Sequence, residues 1–273
     1  MTRRAEGLFR LRRRSAEELP LRGELLSLAG LEERAKLLAA GFTLAPISRA
    51  AGHDVLPRLD ANVEVLDAAY RSLADDIHRG AAVAPAAEWL LDNFHLVEAQ
   101  ARAVRRDLPV RYYRTLPKLA TREFAGRARI HALALELIRY SDGRLDAERL
   151  TRFVLAFQTV APLSIGELWA LPSMLKLALL ENLRILTDGI LAGRTARLAA
   201  DRAFARLEKG GPPGALPAPL PSAFVAQLRQ RMREFDPRLS ALATAVDEAL
   251  AATGTTPEDA VREENQQIGR AHV

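Results

Sequence analysis

The chain has 273 residues, a net charge of +5 from 39 basic and 34 acidic side chains, and no cysteine. That excludes a disulfide framework and any thiolate metal site. It also gives weak support to a generic nucleic-acid binder, because a basic pI, here near 9.9, is necessary for that role and far from sufficient.

Alanine, leucine and arginine dominate, and aromatics make up only 5% of the residues, a composition that suits helices better than sheets. The expected fold class is all-α, a multi-helix antiparallel bundle with a smaller helical C-terminal segment. Residues 1–53 read as a basic N-terminal arm and a short helix. The arm, MTRRAEGLFRLRRRS, has no apolar stretch after its arginines and so lacks the pattern of a secretory signal. An amphipathic segment at about 16–40 carries Leu25, Leu28, Leu31 and Leu38, with interruptions at Gly23 and Gly30. Residues 41–52 read as a loop.

The bundle is expected over 54–208. Leu56, Leu59, Val63, Leu66, Tyr70, Leu73 and Ile77 alternate steps of three and four, with Asp54 as a cap and Gly80 as a stop. Pro85 opens a matching helix with Leu90, Phe94, Val97, Ala101, Val104 and Leu108 on one seam. The two make an antiparallel hairpin. A third helix is expected over 122–140, apolar on two sides and hence central. Asp146 caps a fourth. Ser164 and Glu167 form a capping box for a fifth, which reaches about Leu207 and contains Pro172. Within that box Ser164 is expected to matter more than Glu167. The stretch 209–222 is a Pro/Gly linker, and 223–267 is a short helical segment. The last six residues, IGRAHV (268–273), read like a translated sequencing adapter, and so as an artefactual tail. No apolar run reaches a membrane span, since 165–180 is too short and holds Glu167 and Lys176; the segment is therefore expected to be soluble.

No catalytic, cofactor-binding or metal residue stands out. Glycine-rich phosphate loops, a G-x-S-x-G elbow and the Asp-x-Asp and Gln-x-x-Arg-Trp motifs of processive glycosyltransferases are missing. Glu88, Asp92, His95, Glu98 and Arg102 share one helix flank, but the order His95-x-x-Glu98 reverses the Glu-x-x-His of di-iron bundles and has no second copy. Asp75 and Asp76 begin an acid-rich pattern that Arg79 interrupts. His131 reads as a satisfied core histidine, and Trp89 and Trp169 as core anchors. The candidate site is the basic break after Leu108, with Arg105, Arg106, Arg111, Tyr112, Tyr113, Arg114 and Lys118. It is either a docking surface for an acidic partner or a solvated loop whose tyrosines pack on the bundle.

Several long motifs occur in order: WLLDNFHLVEAQ, RRDLPVRYYRTLPKLA, PLSIGELWALPSMLKLALLENLR, AFVAQLRQRMREFD and GTTPEDAVREEN. Over roughly 54–265 they resemble the region ahead of the glycosyltransferase domain in cyclic β-1,2-glucan synthases. The resemblance implies a non-catalytic cytoplasmic region, with an assembly or regulatory role, of a large bacterial inner-membrane enzyme. The parent polymerises glucose from UDP-glucose with a divalent metal, and this fragment holds no cofactor of its own. Implied partners are the parent's catalytic and membrane domains and an anionic membrane surface; nucleic acid is not expected. The alternative is a stand-alone helical interaction or nucleic-acid-binding protein using 105–122.

Overall fold

The computed structural model describes residues 25–46, 55–81, 83–141, 143–209, 216–217, 219–233, 240–252 and 254–270. The basic tail, the Asp54 cap and half of the Pro/Gly linker lie outside these. The described residues form ten α-helices and no sheet, an all-α fold. They are α1 (Leu28–Gly41), α2 (Val55–His78), α3 (Pro85–Asp107), α4 (Val110–Thr115), α5 (Arg129–Ser141), α6 (Ala147–Gln158), α7 (Ile165–Glu208), α8 (Ser222–Arg233), α9 (Ser240–Ala251) and α10 (Pro257–Arg270). They divide into two compact units, Met1–Ala68 with Asn93–Leu186 and Ala69–Asp92 with Thr187–Val273. The division points fall inside α2, α3 and α7 rather than at the Pro/Gly stretch.

In the first unit α5 is the central helix. Every residue from Ala128 to Ile138 is buried, as expected of a helix that is apolar on two sides. It is shorter than the expected 122–140. Arg122–Phe124 form a 3-10 turn instead, and Gly126 at φ 79° breaks the backbone before α5 begins. The loop thus formed is tied down by its own backbone: Leu119 N–H donates to Arg127 O at 2.9 Å and Arg129 N–H to Pro117 O at 2.8 Å. Ala45 N–H donates to Lys118 O, and Ala120 N–H to Thr43 O, both at 2.8 Å. Phe42 packs edge-on against Phe124, with centroids 5.9 Å apart. Gly30 does not interrupt α1; its N–H donates at 3.2 Å to the Ser27 side chain that caps the helix.

The α3 seam is buried as the periodicity expects, from Leu90 through Leu108. On α2 the buried row is Val55, Leu59, Asn62, Leu66, Ala69, Leu73 and Asp76, while Ile77 is exposed. The row runs one residue off the expected one in alternate turns, because polar side chains occupy seam positions. Asp76 accepts from Arg194 at 2.5 Å in the second unit, which makes its burial affordable where a hydrophobicity count rejects it.

The core of the second unit joins the last turns of α7 to α8, α9 and α10 through Ala200, Phe204, Phe224, Val225, Leu228, Val246 and Leu250. Thr256 caps α10 in a box that the sequence reading missed: Asp259 N–H donates to Thr256 Oγ1 at 3.1 Å, and Thr256 N–H to Asp259 Oδ2 at 3.3 Å. Neither tryptophan is a core anchor. Trp89 is 53% exposed and Trp169 78%. Each lies one position off a buried row, beside Leu90 and Ala170 respectively.

Candidate functional site

The basic break is built by a helix stop and a restart. Helix α3 ends at Asp107, Pro109 has no N–H to continue it, and α4 begins at Val110 with Pro109 as its cap. The break sorts its residues into two groups. Tyr113 and Lys118 are buried, at 2% and 3% exposure. Lys118 Nζ donates to Tyr113 O at 2.7 Å and sits 3.3 Å from the Tyr113 ring centroid, so the cation is held by a carbonyl and a π-face. These two residues belong to the interior and are not part of an exposed surface. Arg105, Arg106, Arg111 and Arg114 are exposed and Tyr112 is half-buried.

Acids pair with two of the exposed arginines of the break. Arg105 donates to Asp60 Oδ1 at 2.8 and 3.0 Å, and Arg106 donates to Asp107 at 2.9 Å. The Arg105–Asp60 pair joins the start of α2 to the end of α3, as an antiparallel hairpin requires. Arg111 has no ion-pair partner among the described residues.

Tyr112 links the break to α7. Its hydroxyl donates to Gly166 O at 2.5 Å, and burial raises its pKa above the usual tyrosine value. A Cβ on Gly166 would stand 3.8 Å from the Tyr112 ring. Exposed on either side of Gly166 along α7 are Ile165, at 72%, and Trp169, at 78%. The basic edge therefore adjoins an exposed apolar one.

Two ion clusters are centred on carboxylates of α7. In one, Arg129 donates to both Glu167 oxygens, at 2.8 and 2.7 Å, and to Pro162 O at 2.9 Å. Glu167 also closes the capping box: Ser164 N–H donates to its Oε2 at 2.9 Å, and Glu167 N–H to Ser164 Oγ at 3.3 Å. In the other, Glu181 of α7 accepts from Arg58 of α2, with Arg58 Nη2 to Oε2 at 3.1 Å. His131 Nε2 lies 3.8 Å from Glu181 Oε1 and makes no hydrogen bond. Burial first, and then the nearby cations Arg127, Arg58 and Lys118, push the His131 pKa down to about 4, against the pull of Glu181. Glu181 itself is lowered: burial acts to raise it, but His131, Arg58 and Arg127 outweigh that. His131 is thus a core histidine, as expected, but not a satisfied one. Arg58 and Arg127 carried no signal in the sequence, since 50 or more positions separate them from Glu181.

The flank residues Glu88, Asp92, His95 and Glu98 are all exposed, and Glu98 pairs with Arg102 at 3.6 Å. Among the described residues no group of three His, Asp or Glu is arranged to hold a metal, and no helix is long and apolar enough to cross a membrane.

The fold and these surfaces define a helical region whose recognisable features are structural ion clusters and an exposed basic edge. No protein-family model matches the chain. Over 214 residues, 75% of its length, it is 36% identical to the cyclic β-(1,2)-glucan synthase NdvB of Rhizobium meliloti (strain 1021). The chain is thus similar to one segment of a cyclic β-(1,2)-glucan synthase. The matched segment is 8% of the length of that relative.

Proposed function

We propose that the chain is a non-catalytic helical region of a cyclic β-(1,2)-glucan synthase, and that it serves assembly by docking against another part of that enzyme. The observation that carries this reading is the exposed edge on which Arg111 and Arg114 of α4 adjoin Ile165 and Trp169 of α7 through the Tyr112–Gly166 hydrogen bond. An exposed aromatic beside arginines is the composition of an interaction hot spot. Glucose transfer from UDP-glucose, and the metal it uses, would belong to the rest of the parent, on the cytoplasmic face of the inner membrane.

The test is to add the purified chain to a synthase that lacks the matching segment and to measure co-purification. Arg111→Glu with Arg114→Glu should weaken association at low salt, and Trp169→Ala should weaken it at all salt concentrations. Undiminished association of both variants would refute the docking surface. The chain alone should incorporate no label from UDP-glucose. A steep salt dependence with generic DNA or RNA would favour the nucleic-acid reading instead.

A further inference from the structure

Between Glu167 and Glu181 most of helix α7 is buried. What stays open along its first turns is one narrow stripe. Ile165, Trp169, Pro172 and Leu179 are exposed, and Lys176 is half-buried. These positions step by four, three, four and three, the spacing of a seam between two packed helices. The stripe lies within the first unit, which runs on to Leu186. The solvent side of a helix is ordinarily its polar side. Here the order is reversed: Glu167 and Glu181 are inside, and the stripe is apolar except at Lys176. Lys176 has no hydrogen-bond or ion-pair partner among the described residues.

The stripe is complementary to itself. The geometry points to a second copy of this chain as its occupant, with two α7 stripes packed antiparallel about a two-fold axis through Pro172. That axis sets Ile165 against the partner's Leu179, and Trp169 against the partner's Lys176. Apolar meets apolar at both ends, and each ammonium lies over an indole face. Such a pairing is isologous and closes at two copies. A parallel pairing would set Lys176 against its own copy. It would also bring together the two edges that carry Arg111 and Arg114, since α4 adjoins α7 at Gly166. The antiparallel pairing keeps those edges at opposite ends of the stripe, about 21 Å of helix apart. The inference rests on the reading of Ile165 and Trp169 as an interface, and names what covers them in the isolated chain.

The experiment is sedimentation equilibrium of the whole chain over a range of concentrations. The expected result is a reversible monomer–dimer equilibrium. Trp169→Ala should weaken the dimer about thirtyfold or more, the worth of a tryptophan hot spot. Lys176→Glu should weaken it too, whereas Lys176→Arg should retain it, because either cation can lie over the indole. Trp89→Ala, at the exposed tryptophan of the second unit, should change nothing.

Because the chain has no cysteine, single cysteines on the exposed stripe map the axis. Pro172→Cys should link to its own copy on mild oxidation, whereas Ile165→Cys should link only when mixed with Leu179→Cys. A wild type that stays monomeric overturns the inference, as does a dimer that Trp169→Ala leaves intact. Self-linkage of Ile165→Cys as ready as that of Pro172→Cys overturns the antiparallel axis. The docking reading is judged separately. A monomeric chain that still co-purifies with the truncated synthase through Trp169 removes the dimer and leaves docking, and a dimer that does not co-purify removes docking and leaves the dimer.

Discussion

The Arg129–Glu167 pair and the Arg58–Glu181 pair are both bidentate contacts to a carboxylate of α7, yet they are built differently. The first is closed. Arg129 and Glu167 are 9% and 0% exposed at their side chains, and every polar atom of the carboxylate has a donor. The second is open. Arg58 is 43% exposed, His131 Nε2 has no hydrogen-bond partner, and Arg127 acts on the same carboxylate. The difference comes from where each carboxylate sits. Glu167 lies in the first turn of α7, where Ser164 N–H and Oγ add donors, whereas Glu181 lies mid-helix with its backbone neighbours already paired. A buried ion pair is well matched only when further hydrogen bonds complete it.

The largest effect that would sharpen this comparison is expected at Glu167. Glu167→Ala strips the counterion from a buried arginine and should cost ~3–5 kcal/mol in chemical denaturation. That reverses the order expected from the capping box alone, in which Ser164 was the larger contributor. A loss near that of an ordinary cap would show that water replaces the carboxylate and that the pair is not closed.

Acid should act on the open cluster. The His131 pKa in the fold is about 4 against an ordinary 6.5, so the folded chain holds a neutral imidazole that the unfolded chain protonates. The resulting stability is complete above pH 6.5 and is lost as the pH falls toward about 4. The total is at most about 3 kcal/mol. Glu181 is depressed below 4.5, so its stabilisation is present above that value and lost below it. The slope between about 6.5 and 4.5 therefore belongs to His131, and His131→Gln should remove it. A slope that survives the substitution would break the assignment.

Removing the open carboxylate should cost less than removing the closed one. Glu181→Gln is expected to lose ~2 kcal/mol, because exposed Arg58 recovers hydration. A loss equal to that of Glu167→Ala would erase the distinction between the clusters. Ser164→Ala should cost ~1 kcal/mol, with coupling to Glu167→Ala in a double-mutant cycle since one box joins them. Arg111→Glu with Arg114→Glu, outside both clusters, should change stability by less than ~0.5 kcal/mol.

Periodicity and local caps determined much of this protein in advance. The seam from Leu90 to Leu108, the stop before Pro109, the cap at Asp146, the box at Ser164 and the span of α7 are local matters, decided by side chains within a few positions of one another. The family resemblance was legible for a related reason, since long motifs in order survive in the one-dimensional string.

Tertiary structure decided the rest. Which face of α2 is buried depends on Arg194, over a hundred residues away, because an arginine there makes Asp76 acceptable inside. The sorting of the basic break into a buried Tyr113–Lys118 pair and an exposed arginine edge depends on Gly166, Thr43 and Ala45. Composition and spacing record what a side chain prefers, but burial of a charge turns on whether a distant partner arrives to compensate it. For Arg129 that partner is Glu167, 38 positions along the chain.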